Sequence, residues 1–210
     1  VNYDGAMATR KYEQRLRAET AQATRRRILD AVCEQLREAP AKPVSIDRIA
    51  QAARVARPTV YLVFGSRSGL FDAVGADLQQ RGGFESMMEI ADHPDARQGL
   101  RGCIQGVVEM YAAHRDVLRA LHSMALLDAD AVGGAVQRLE QGRAAGMRHL
   151  ADRLAEQGLL RPDNTAERAA DVLWLLTGFD SFDLLYTGRN APVGQVVDTL
   201  LATAERTLCA

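Results

Sequence analysis

The sequence predicts an all-α protein, and three observations carry that prediction. Apolar residues recur at helical spacing along most of the chain, no run alternates β-branched and polar residues, and proline and glycine gather at a few breaks. At 210 residues the chain is long enough to bury a sizeable core. Its charge is unevenly placed. Through residue 75 there are 13 Lys and Arg against 8 Asp and Glu, a net of +5, whereas the remainder carries −6 and the whole −1. A basic first third on an acidic body is the distribution of a nucleic-acid-binding head joined to a part that does not touch nucleic acid. The expected division is a flexible basic arm over 1–23, a helical head over 24–82 and a larger helical body over 83–210.

The stretch from Met7 to Gln22 is polar and basic, with Arg10, Lys11, Arg15 and Arg17, and reads either as a solvated tail or as an arm along DNA. Thr24 is placed to cap a first helix running to Glu38, with Ile28, Leu29, Val32 and Leu36 as its core stripe. Arg25, Arg26 and Arg27 open that helix against its dipole and so ask for a nearby anion, for which phosphate is the candidate. Residues 39–43 hold two prolines and break the chain. Ser45 is a good N-cap for the next helix, whose face is Ile46, Ile49 and Ala50. Val55 sits in a tight turn, and Val60 and Phe64 continue the apolar set on a very short helix. Arg57, Thr59 and Tyr61 are left pointing outward. Such a helix has little core of its own, and a DNA major groove is the natural recipient of its outer face. Ser66 caps a fourth helix carrying Leu70, Phe71 and Val74, and the pattern stops near Arg81-Gly82-Gly83.

The ordered set Ile49, Ala50, Ala53, Val55, Thr59, Tyr61, Phe64, Ser66 and Leu70, with Arg67 in a lysine place, resembles the helix-turn-helix of TetR-type (TetR/AcrR) transcriptional repressors. That pattern runs roughly I-A-x-x-A-G-V-x-x-x-T-x-Y-x-x-F-x-S-K-x-x-L. Arg57 and Thr59, at the leading end of the recognition helix, are the candidate base readers. Pro58 suits the first helical turn and can touch a thymine methyl. Tyr61 and Arg67 are the candidate phosphate contacts, joined by Arg25, Ser45 and the start of the helix at Ser66. One departure stands out: the family's turn glycine is Arg54 here. Either the turn opens slightly, or Arg54 accepts a positive φ and offers a phosphate contact.

In the body, helices are expected over Asp95 to about His114, Arg115 to Leu127, Asp130 to Gln157, Thr165 to Tyr186 and Pro192 to Leu208. Gly133, Gly134, Gly142 and Gly146 predict a bend or a close helix contact in the third, and Gly158 its C′ residue. The last two helices carry more apolar surface than one internal face needs, so they are candidates for a bundle with a second copy. The interface set is Phe182, Tyr186, Val196, Val197, Leu200, Leu201 and Ala204. The resemblance also implies that these helices dimerise. Met88, Met110, Tyr111, His122, Met124, Trp174, Phe179 and Asp180, with Phe84 and Met87, are candidates to line a small-molecule pocket, with plain core as the alternative.

No catalytic set is legible. His93, His114, His122 and His149 are scattered, and the sequence holds no G-x-S-x-G, phosphate loop or dinucleotide fingerprint. No cofactor or metal is expected. Cys33, Cys103 and Cys209 lack a C-x-x-C pair and read as reduced thiols. No apolar run approaches bilayer length and no secretory segment opens the chain, so a soluble cytoplasmic protein without a membrane partner is expected. The sequence thus reads as a homodimeric DNA-binding repressor that binds a palindromic operator, its recognition helices about 34–36 Å apart or a larger groove-compatible distance. By the resemblance, an effector entering the body would release the operator. The rival reading is a helical ligand-sensing or partner-docking protein that has lost specific DNA binding.

Overall fold

The computed structural model describes residues 3–40 and 42–210; Val1 and Asn2 of the expected arm, Ala41, and the side chains of residues 3–14 and 84 lie outside it. The described residues form ten α-helices and one π-helical turn, with no strand among them. The first helix, α1 (Tyr3–Glu38), passes straight through Thr24, so the expected cap is an interior residue and the arm is helical from Tyr3. The residues before Thr24 include alanine, glutamate, glutamine and arginine, all strong helix formers, and nothing there breaks the helix. Only the second half of α1 is anchored: Ile28, Leu29, Val32 and Leu36 are buried, whereas residues 15–22 are exposed.

Three short helices complete the head: α2 (Ile46–Ala52), α3 (Arg57–Phe64) and α4 (Arg67–Arg81). Ser45 caps α2 by accepting from Arg48 N, and Ser66 caps α4 by accepting from Gly69 N at 2.9 Å. Leu70, Phe71 and Val74 of α4 pack with Ile49 and Ala50 of α2 against α1.

The body is built on α6 (Ala96–Leu127), capped by Asp95, whose carboxylate accepts from Arg97 N at 2.8 Å. The two helices expected to either side of His114 are one helix with a kink at that residue (φ −119°, ψ 15°). Around α6 lie α5 (Phe84–Ala91), α7 (Gly134–Glu156), α9 (Phe179–Tyr186) and α10 (Val193–Leu208), while α8 (Ala166–Leu176) packs along α7. The helix weakened by Gly133 and Gly134 in the sequence begins only at Gly134, and a π-helical turn over Ala129–Gly133 precedes it. Gly158 follows α7 with φ +64°, a left-handed value that favours glycine.

The helix expected over Thr165 to Tyr186 is instead two. Thr177 Oγ1 turns back to the Leu173 carbonyl at 2.7 Å, and Gly178 takes an extended conformation (ψ 148°) before α9 begins. Carbonyls freed at the break find other donors: Arg143 bonds that of Trp174, and the Tyr111 hydroxyl donates to that of Thr177 at 3.1 Å. The break tilts the second segment onto α6. Phe182, Val196, Leu200 and Ala204, expected at a dimer interface, are therefore buried inside the protomer, because α6 already supplies the partner for their stripe. Tyr186, Val197 and Leu201 stay half-buried at its margin.

Asp183 locks α9 to α6. Arg115 Nε donates to it at 2.8 Å, Arg119 donates to its second oxygen, and Thr187 Oγ1 donates at 2.6 Å. Burial alone would raise this carboxyl, but the bonds from Arg115, Thr187 and Arg119 outweigh it and bring its pKa down to about 2. A depressed carboxylate contributes stability above its unfolded value near pH 4, and that contribution is lost as pH falls toward 2. Asp183→Asn should cost about 2 kcal/mol at pH 7, and the gap to wild type should close on acidification, as read by urea unfolding across pH.

Candidate nucleic-acid interface

The turn between α2 and α3 settles the two alternatives for Arg54. Val55 N bonds the Ala50 carbonyl at 2.9 Å and Arg54 N bonds that of Gln51 at 3.1 Å, so the turn is closed. Arg54 accordingly takes φ +54°, the left-handed conformation that glycine adopts freely, and its side chain is exposed. Val55 is half-buried in the turn, which holds α3 across α2.

On α3 only Val60 is fully buried, with Val63 and Phe64 packed partly against the core. Arg57, Pro58 and Tyr61 are exposed on the outer side and Thr59 is half-buried. The structure therefore brings the expected base readers and Tyr61 onto one short helix. Arg57 pairs with Asp47 of α2 at 3.3 Å, both side chains being well exposed. The Tyr61 hydroxyl first, then Asp47, hold the Arg57 guanidinium above its ordinary pKa. Arg25 lies over the Phe64 ring at 4.7 Å, which sets a cation on α1 beside the end of α3. Ser45 acts as a helix cap next to this surface.

Arg67 is placed differently from its expected phosphate role. It donates to the Val44 carbonyl at 2.8 Å and to Asp128 at 3.2 Å, and its guanidinium lies over Phe71. An arginine fork reaches two acceptors in different directions, which a lysine ammonium serves less well. Asp128 ends α6, so Arg67 ties the head to the body; Asp72 of α4 and Arg138 of α7 form a second tie.

In the body, a cavity of about 100 Å³ lies among α4, α5, α6 and α7. Of the expected lining residues, Met88, Met110, Tyr111 and His122 do border it, as does Met87. The Phe84 side chain lies outside the described residues, and the others lie elsewhere. Met124 is core, Phe179 stacks on His122 and meets the Tyr111 ring edge-on, Trp174 lies on the surface under Arg143, and Asp180 is an exposed partner of Arg119. The sequence reading missed Glu140 and Arg143, a bonded pair at the cavity wall, and Leu78 and Gln79, which bring α4 to it. Polar character hid Glu140, Arg143 and Gln79 among surface positions of their helices. Burial drives the Tyr111 phenol well above its ordinary pKa and the Cys103 thiol up to about 11. All three cysteines are free and buried, and the described residues hold no cluster of three or more metal-ligating side chains. No described helix is long and apolar enough to cross a membrane.

A helical head with an outward, cation-bearing recognition helix on a larger helical body is the arrangement of a helix-turn-helix DNA-binding regulator. Residues 28–74 match the family model of bacterial regulatory proteins of the tetR family. The NalD repressor of the MexAB-OprM multidrug efflux pump in Pseudomonas aeruginosa is 23% identical, with 91% of this chain and 98% of that one covered and a TM-score of 0.68. A TetR-like transcriptional regulator from Rhodococcus sp. RHA1 is 24% identical over 87% of this chain and 94% of that one, at 0.64. A TetR family regulator from Marinobacter aquaeolei VT8 is 16% identical over 91% and 98%, at 0.68. Among curated proteins none matches in sequence. Residues 28–74 thus carry a tetR-family helix-turn-helix head, and the chain as a whole has the fold of these TetR-family regulators.

The strained turn gives a direct test of the head. Arg54→Gly relieves the left-handed penalty but loosens the unfolded chain, so a net gain of up to about 1 kcal/mol is expected in chemical denaturation.

Proposed function

We propose that the protein is a homodimeric repressor that binds a palindromic operator and is released by a small, mainly apolar effector. The observation that carries this reading is α3, an eight-residue helix with one fully buried side chain and its cations and tyrosine turned to solvent. Arg57 is the base reader, and Tyr61, Arg54 and Arg25 meet phosphates. The role of NalD as a repressor supports the same direction of control.

A symmetric partner supplies the second half-site reader. Leu175 of α8 and Leu184 of α9 are 68% and 69% exposed, and Val197 and Leu201 of α10 are half-buried, which leaves apolar surface for a second copy to cover. The effector enters the cavity beneath α4. Because Leu78 and Gln79 border that cavity, an occupant that fits one arrangement of α4 better than another shifts the head with it.

Selection from a random duplex library followed by anisotropy titration should return one palindrome bound with a steep salt slope. Absence of enrichment, with the fold intact, would overturn the reading in favour of a ligand-sensing protein without specific DNA binding. On the selected site, Arg57→Ala should cost about 1–3 kcal/mol and relax one base position, whereas Tyr61→Phe should weaken all duplexes alike. In sedimentation equilibrium, Leu184→Glu should shift the protein from dimer to monomer; an unchanged dimer would place the interface elsewhere.

A further inference from the structure

Leu62 is the most exposed large apolar side chain of the head, at 86%, and it stands in the middle of the recognition helix. It lies two residues from buried Val60, roughly 200° around the helix, so the fold itself drives it outward. Pro58 precedes it by four residues and is also exposed, which sets the two on one ridge of the outer face. The other outward residues of α3 are Arg57 and Tyr61, with Thr59 half-buried. Among these, Arg57 alone offers bidentate hydrogen bonding to a base, and no Asn, Gln, Asp or Glu stands on the helix. The reading surface therefore pairs one guanidinium with an apolar ridge.

In a major groove, the apolar feature that a ridge of this kind can recognise is the C5-methyl group of thymine. We infer that Leu62, with Pro58 beside it, is a specificity-determining residue that selects a thymine in each operator half-site through its methyl group. The inference rests on the DNA-binding reading above and deepens it. Contact with the methyl removes apolar surface from water on both sides, and it leaves the base-pairing edge unread. An adenine–uracil pair therefore presents the same hydrogen-bonding pattern without the contact.

The test uses the selected operator duplex and the full-length chain. Each thymine of a half-site is replaced singly by deoxyuridine, and affinity is measured by anisotropy for wild type, Leu62→Ala and Pro58→Ala. At one position wild type should lose about fourfold in affinity, the worth of one buried methyl. Leu62→Ala should bind the thymine and uracil duplexes equally at that position, with unchanged helical circular dichroism, giving a coupling between residue and methyl. If no uracil substitution weakens wild type, or if Leu62→Ala shows the same loss, the inference is overturned. Should selection return no operator at all, the DNA-binding reading falls and takes this inference with it.

Discussion

Everything functional in the head depends on α3 being held by its neighbours and not by itself. An isolated helix of eight residues is marginal in water, and α3 buries only Val60 fully. Its position comes from the closed turn at Arg54 and Val55, from partial packing of Val63 and Phe64, and from the glycine at position 65 (φ +75°), which turns the chain directly into α4. The core of α1, α2 and α4 is thus a mount. Because so little of α3 is needed for packing, its outer positions are free to differ without unfolding the head, which is the property a sequence-reading element needs.

The body solves a different problem, that of keeping polar groups satisfied around a dry centre. Arg143 illustrates it: the guanidinium bonds Glu140, the Trp174 carbonyl and Thr177, and so closes the break between α8 and α9 while neutralising the acid at the cavity wall. Arg115 and Arg119 do the same for Asp183 at the other end of α9. The wall facing the cavity is consequently almost free of unpaired charge, and thioethers and aliphatic carbons make up most of it. Such a lining suits uncharged, flexible-shaped molecules better than ions.

Much of this was legible in the sequence where one residue type answers one local demand. Ser66 as a cap, Gly158 as a C′ residue and the outward set on α3 each follow from short-range chemistry, and the family resemblance lay in the same short stretch. What escaped were features set by partners distant in the chain. Thr24 looked like a helix start because it is a good cap, yet nothing before it opposes helix. The break at Thr177 and Gly178 was hidden inside a run of apolar residues, and its stabilisers, Tyr111 and Arg143, come from other helices. Missing that break sent Phe182 to the wrong surface. Arg67 matched a pattern position, but its true acceptors, Val44 and Asp128, lie 23 and 61 residues away.

Arg54 carries a last consequence, and it concerns time more than equilibrium. The turn requires a dihedral angle, not a particular residue, and this chain meets it with a side chain that brings a positive charge to the exposed edge of the head. Arg48, Arg54 and Arg57 are all exposed in this short stretch of chain, and positive charge there would attract a polyanion. Long-range attraction of this kind raises the frequency of productive collisions and fades as ions screen it. A glycine there would give a more relaxed turn and a slower first encounter, so a small local strain is exchanged for speed in the search.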